Sequence, residues 1–197
     1  NNLALYQVEN FNHSDFINFL KNQNADIFIV IEYRILPEYI FSIPKYGSMN
    51  VHASLLPQYR GAAPIQRAIM NDEVNFGLTS FILNRTVDSG DIILKKTFYY
   101  NDHYNYNQIR ESLSDECQIF LLDSIKLIIN GYKKEIQSKQ NITFAPKIIK
   151  CEYKLNLNQK TKKAYNISRA LISIAAAKRE SRVRNQKEGD SYEISTV

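Results

Sequence analysis

The stretch DIFIVIE, residues 26–32, constrains the fold more than any other part of the chain. Its five central residues are apolar without alternation. A strand with one wet face alternates apolar and polar residues. An unbroken run belongs to a strand covered on both faces, as in a parallel sheet packed between helices. Before it, SDFINFLKNQ (14–23) has apolar residues at helical spacing, with Ser14 or Asp15 near the N-cap. After it comes a short helix between Pro37 and Pro44, then a strand over 48–53 entered through Gly47. A helix follows over 64–71, with Pro64 at its natural first position. Two further strands, 77–83 and 91–99, flank the turn residues Asp88, Ser89 and Gly90. A long helix over about 105–130 ends at Gly131. This order predicts an α/β fold with a largely parallel sheet.

At 197 residues and 44% apolar content, the chain can bury one core and begin a second domain. No apolar run approaches the roughly 18–20 residues of a membrane span. Cys117 and Cys151 form no framework, and His13, His52 and His103 fall in no metal pattern. These features predict a cytoplasmic protein with free thiols and no metal. The chain opens on Asn1 and is expected to be a piece of a longer protein.

Charge is unevenly spread. Residues 1–100 carry 8 Lys and Arg against 9 Asp and Glu, whereas residues 101–197 carry 17 against 11. A solvated, Lys-rich face accounts for this, and so does an anionic polymer bound on the C-terminal side. The irregular stretch 141–154, broken by Pro146, is expected to leave the first domain. The predicted division is a sheet domain over 1–143, a linker and the start of a second domain over 144–175, and a poorly ordered polar tail over 176–197.

Chemistry concentrates in MNVHASLLPQYRG, residues 49–61. Strand period puts Asn50 and His52 on one face and Val51 on the other. Ligands of α/β sheets sit beyond the carboxyl ends of strands, and residues 33–36, 50–57 and Asp88 all lie at or just after strand ends. An amide, an imidazole and a carboxylate together suit acyl transfer to an amine. Amide and imidazolium N–H groups can hold a developing oxyanion, and the carboxylate can help remove the proton that the amine loses. No Ser or Cys nucleophile is required. The same spacing also fits a hydrogen-bonded strand histidine beside an asparagine, with no chemistry at all.

NVHASLLPQYRGAAPIQRAI, with the VDSGD turn starting at Val87, 18 residues after Ile69, resembles the formyltetrahydrofolate-dependent formyltransferases. RGAAPIQ, residues 60–66, is most similar to the methionyl-tRNA branch of that family. The resemblance implies a Rossmann-like formyltransferase sheet and transfer of formyl from 10-formyltetrahydrofolate to the amino group of initiator methionyl-tRNA. It implies catalytic roles for Asn50, His52 and Asp88, and donor contacts from Ser54, Leu55, Leu56 and Pro57, from Tyr33, Arg34, Ile35 and Leu36, and from the turn 84–88, Val87 included. Arg60, Lys160, Lys162 and Lys163 become candidates for the tRNA. No metal is implied, and the complete protein is expected to be a monomer. Related acceptors are a sugar-nucleotide amine or glycinamide ribonucleotide, and a folate-binding remnant without turnover is the rival from another class. Measured against the family, the chain is expected to lack the first strand–helix units of the sheet, and its tail after about Leu171 follows no family pattern.

Overall fold

A computed structural model describes residues 5–8, 10–31, 35–153 and 160–172. In order, these form α1 (Ser14–Asn22), β1 (Phe28–Val30), α2 (Glu38–Phe41), β2 (Ser48–His52), α3 (Pro64–Met70), β3 (Asn75–Ile82), β4 (Ile92–Tyr99), α4 (Tyr106–Asn130), a 3₁₀ turn (Lys150–Tyr153) and α5 (Thr161–Ala170). The ends follow local chemistry. Pro64 starts α3. Asn105 and Gln108 form a reciprocal capping box that opens α4, an arrangement worth about 1 kcal/mol. Gly131 closes the helix with φ of 80°.

The four strands make one sheet in the order β1-β2-β3-β4. Only β1 and β2 run parallel; β2–β3 and β3–β4 are antiparallel. The α/β class stands, but the expectation of a largely parallel sheet is corrected among the described residues. Residues 83–91 join β3 to β4 as a hairpin, a connection shorter than the dozen or more residues that a parallel crossover needs. An apolar run reports cover on both faces, not direction. Phe76 through Phe81 are all buried although the strand is antiparallel to both neighbours.

One core lies where α3 and α4 meet the sheet, with Ile69, Phe76, Leu78, Ile109, Leu113 and Phe120. A second joins Met49 and Ile93 to Ile128 of α4. The described part of the expected linker, residues 141–153, runs back along the sheet domain. It is tied to the 60–61 turn by chain-to-chain hydrogen bonds, Arg60 N–H to Thr143 O (3.0 Å) and Ala145 N–H to Arg60 O (2.7 Å). Ala145 is fully buried, and the Arg67 guanidinium donates to both carboxylate oxygens of Glu152. Helix α5 then places Ala170 in the main core and Leu171 in a third apolar cluster with Ala63 and Ile148. The expected tail over 176–197 lies outside the described residues. Among those described, no helix is long and apolar enough to cross a membrane.

Candidate active site

Strand β2 carries the first two groups. Asn50 pairs with Val30 and Phe81, and His52 with Thr79, so both stand in the sheet's interior rather than at an edge. Val51, on the opposite face, packs against the main core. The pleat therefore sorts these three residues as their spacing predicts.

His52 is buried, and its Nε2 lies 2.8 Å from the carbonyl of Tyr59. A carbonyl only accepts, so Nε2 carries a proton. Its other nitrogen, Nδ1, faces Asp88 Oδ2 at 3.8 Å. Asp88 follows β3 on the hairpin. Its backbone is left-handed, with φ of 50°, a conformation Asp tolerates better than most residues. Its carboxylate accepts the Gly61 N–H at 2.8 Å. Gly61 has φ of 120°, and a Cβ there would sit 2.8 Å from the Ala145 carbonyl oxygen, so only glycine lets the turn approach this closely. Asn50 Oδ1 is buried and lacks a hydrogen-bond partner among the described residues. An unmet buried acceptor costs about 1–3 kcal/mol.

Asn50 and Asp88 open onto a pocket of about 100 Å³, lined also by Val30, Ile35, Leu36 and Phe41 on one side and by residues 83–87 on the other. Of the predicted donor contacts, Ile35, Leu36 and Val87 line it. Tyr33 and Arg34 lie outside the described residues. Residues 54–57 are not in its wall. The Thr79 hydroxyl donates to the Ser54 carbonyl (2.7 Å) and accepts the Leu56 N–H (3.2 Å). These bonds make a brace that ties the loop, with Leu56 buried, to Thr79, the β3 residue paired with His52. Asn84, Arg85 and Thr86, in the turn 84–88 that the resemblance sets against the folate, line it as well, and Leu83 is the lining residue of this segment that the sequence did not single out. Arg85 pairs with Glu38 across the rim, Nη2 to Oε2 at 2.6 Å.

Two predicted tRNA contacts are engaged elsewhere. The Arg60 guanidinium turns inward to Gln137 Oε1, at 2.6 and 3.2 Å. Lys162 bridges Asp72 Oδ1 (3.2 Å) and Asp102 Oδ2 (2.7 Å), tying α5 to the turns after α3 and β4. Its ammonium group is held above the usual lysine range, chiefly by the hydrogen bond to Asp102. Lys160 and Lys163 are exposed. The Tyr59 side chain is clamped between Glu73 Oε1 and Asn71 Nδ2, and burial above all pushes its hydroxyl up to about 12.

A mixed four-stranded sheet with helices, an amide and a carboxylate lining one pocket, and an imidazole 3.8 Å from that carboxylate make up a Rossmann-like α/β domain. Residues 3–125 match the formyl transferase family over most of that domain. The chain belongs to the formyl transferase family. It is similar to a methionyl-tRNA formyltransferase of Fusobacterium nucleatum, 35% identical over 179 residues, covering 90% of this chain and 58% of that one. Another, of Thermodesulfovibrio yellowstonii, is 39% identical over 168 residues, covering 85% and 54%. The chain thus spans just over half the length of the curated relatives it matches. Among solved structures, it resembles the sugar 3N-formyl transferase WlaRD, crystallised with dTDP and 5-N-formyl-THF (TM-score 0.67, 23% identity, 78% of this chain and 57% of that). It also resembles the methionyl-tRNA formyltransferase of Clostridium thermocellum (TM-score 0.62, 18% identity, 80% and 67%). At these identities the structural likeness shows the fold.

Proposed function

We propose that this chain carries the catalytic centre for formyl transfer from 10-formyltetrahydrofolate to the amino group of initiator methionyl-tRNA, in the cytoplasm. The unmet, buried oxygen of Asn50, a residue that lines the pocket together with Asp88, is the observation that carries the reading. It is a polar group waiting for a ligand's N–H. A reduced folate has ring and amide N–H groups to offer and a flat apolar body to set against Ile35, Leu36, Phe41 and Val87. The amine that receives the formyl group is read from the relatives, whose names specify methionyl-tRNA at 35–39% identity.

The donor supplies an electrophilic formyl carbon; the chain's residues do the rest. Asn50 Nδ2–H stands as one hydrogen-bond donor for the oxygen that gains charge as the amine attacks. His52 is the second. With Nε2–H committed to the Tyr59 carbonyl, Nδ1 is the nitrogen that exchanges a proton, and the Asp88 carboxylate facing it pairs with the protonated, donating form. Asp88 also accepts the proton released by the attacking amine, directly or through water, and as the tetrahedral intermediate collapses the formyl C–N10 bond breaks and N10 of the departing tetrahydrofolate takes up a proton. Gly61 N–H holds that carboxylate in place throughout. For the tRNA backbone, exposed Lys160 and Lys163 are the candidates at α5, on the part of the chain where we place the start of the second domain. Metal plays no part in this proposal.

Calorimetry with 5-formyltetrahydrofolate, a stable stand-in for the donor, tests the pocket. Wild type should bind it, and Asn50→Ala should bind more weakly by about tenfold, the effect of losing one hydrogen bond in a buried site. No heat and no thermal shift at millimolar ligand, on a folded sample, would sink the assignment.

A further inference from the structure

Gln137 lies in KKEIQSKQ, outside every motif, yet the residue is only 7% exposed. The chain delivers it by register. Ile92 N–H donates to Glu135 O at 2.8 Å and Glu135 N–H returns to Ile92 O at 3.4 Å. Two residues further along each strand of this antiparallel bridge, Gln137 meets Gly90. There its carboxamide is fully used. Oε1 accepts from Arg60 Nη2 (2.6 Å) and Nε (3.2 Å). Nε2 donates to the carbonyls of Asp88 (3.0 Å) and Gly90 (2.8 Å). A guanidinium only donates and a carbonyl only accepts, so this orientation of the amide is the one that satisfies all four bonds.

The partners matter because of what they hold. Asp88 sits at φ of 50° and Gly61 at φ of 120°. The Gly61 N–H fixes the Asp88 side chain, while Gln137 fixes the Asp88 backbone and, through Arg60, the residue before Gly61. Two struts therefore join the 60–61 turn to the 88–90 turn, one through a side-chain carboxylate and one through Gln137. We propose that Gln137 is a positioning residue for formyl transfer: it locks the Asp88 loop against the 60–61 turn so that the carboxylate keeps its place beside His52 Nδ1. The inference rests on the roles given above to Asp88 and His52. It also gives Arg60 an internal task.

Gln137→Met keeps the shape and deletes all four hydrogen bonds. Steady-state formyl transfer and amide hydrogen exchange at Gly61 are measured on the same preparations. The variant should lower kcat about 10–100-fold, the effect of small misplacement of a reacting group, while KM for the folate donor stays within about threefold. Gly61 N–H should exchange at least tenfold faster than in wild type, because its acceptor is no longer held. A role limited to packing predicts neither change, since methionine fills the same volume. A kcat within threefold of wild type overturns the proposal, and so does a lower kcat with unchanged Gly61 exchange. If wild type itself transfers no formyl group, the reading of the site fails, and Gly61 exchange alone then decides whether Gln137 holds the turn. Should Gln137→Met not fold, Gln137→Asn, which keeps the amide but cannot span both turns, is judged by the same two criteria.

Discussion

Each of the three central side chains is fixed by a different physical constraint. Asn50 stands half-buried in a central strand with an unmet oxygen. His52 is oriented from behind by a backbone carbonyl at 2.8 Å. Asp88 is held by a glycine amide. In the proposed mechanism, removing Asn50 or His52 deletes one donor at the developing oxyanion, so Asn50→Ala and His52→Ala should each lower kcat for formyl transfer by about 100-fold. Asp88→Asn should be comparably severe, because it removes the charge facing Nδ1. Near-normal kcat in all three would place the chemistry elsewhere. Tyr59 adds a pH effect on stability. Its folded-state hydroxyl holds its proton to about 12, against an ordinary value of 10.0. The stabilisation is therefore complete below pH 10 and is lost as pH rises from 10 towards 12, where the unfolded chain ionises first. Urea midpoints across that window should fall less steeply for Tyr59→Phe than for wild type; identical slopes would contradict the assignment.

At the scale of elements, local pattern carried far. Each helix and strand expected from period and capping is present, shifted by a residue or two or trimmed at its ends, as for 26–32 against Phe28–Val30. Asn50, His52 and Asp88 were legible because strand period and a turn signal are local. Strand direction was not, since β3 reads as apolar whichever way it runs. The support of the site was hidden for a related reason. Thr79 and Gln137 act across 23 to 77 residues of sequence, where no local signal exists. The brace is testable through Thr79→Val, which leaves the Ser54 carbonyl and Leu56 N–H unpaired and should cost about 1–3 kcal/mol in chemical denaturation. The α5 latch responds to acid. Asp72, mainly through the Asn166 amide, and Asp102, mainly through Lys162, are held below their ordinary 3.8. Their contribution is present above that value and is lost as pH falls below it. Lys162→Met should flatten this acid limb of the stability curve, and an unchanged limb would rule the latch out.

Taken whole, the molecule combines a near-neutral sheet half with a basic C-terminal half, 17 Lys and Arg against 11 Asp and Glu over residues 101–197. Part of that excess serves the fold, since Lys162 and Arg169 both face Asp72. The proposed tRNA-binding residues reduce to Lys160 and Lys163. Changing both to Ala should weaken tRNA binding and flatten its salt dependence by up to about 0.9 for each phosphate no longer neutralised, with 5-formyltetrahydrofolate binding unchanged. The central claim is that Asn50, His52 and Asp88 move a formyl group onto methionyl-tRNA. It is tested most directly by following isotope-labelled formyl from 10-formyltetrahydrofolate into methionyl-tRNA, with wild type and His52→Ala side by side. The account predicts label in the tRNA with wild type and a rate about 100-fold lower with His52→Ala. Label transferred at equal rates by both proteins, or by neither although each binds the folate, would contradict it.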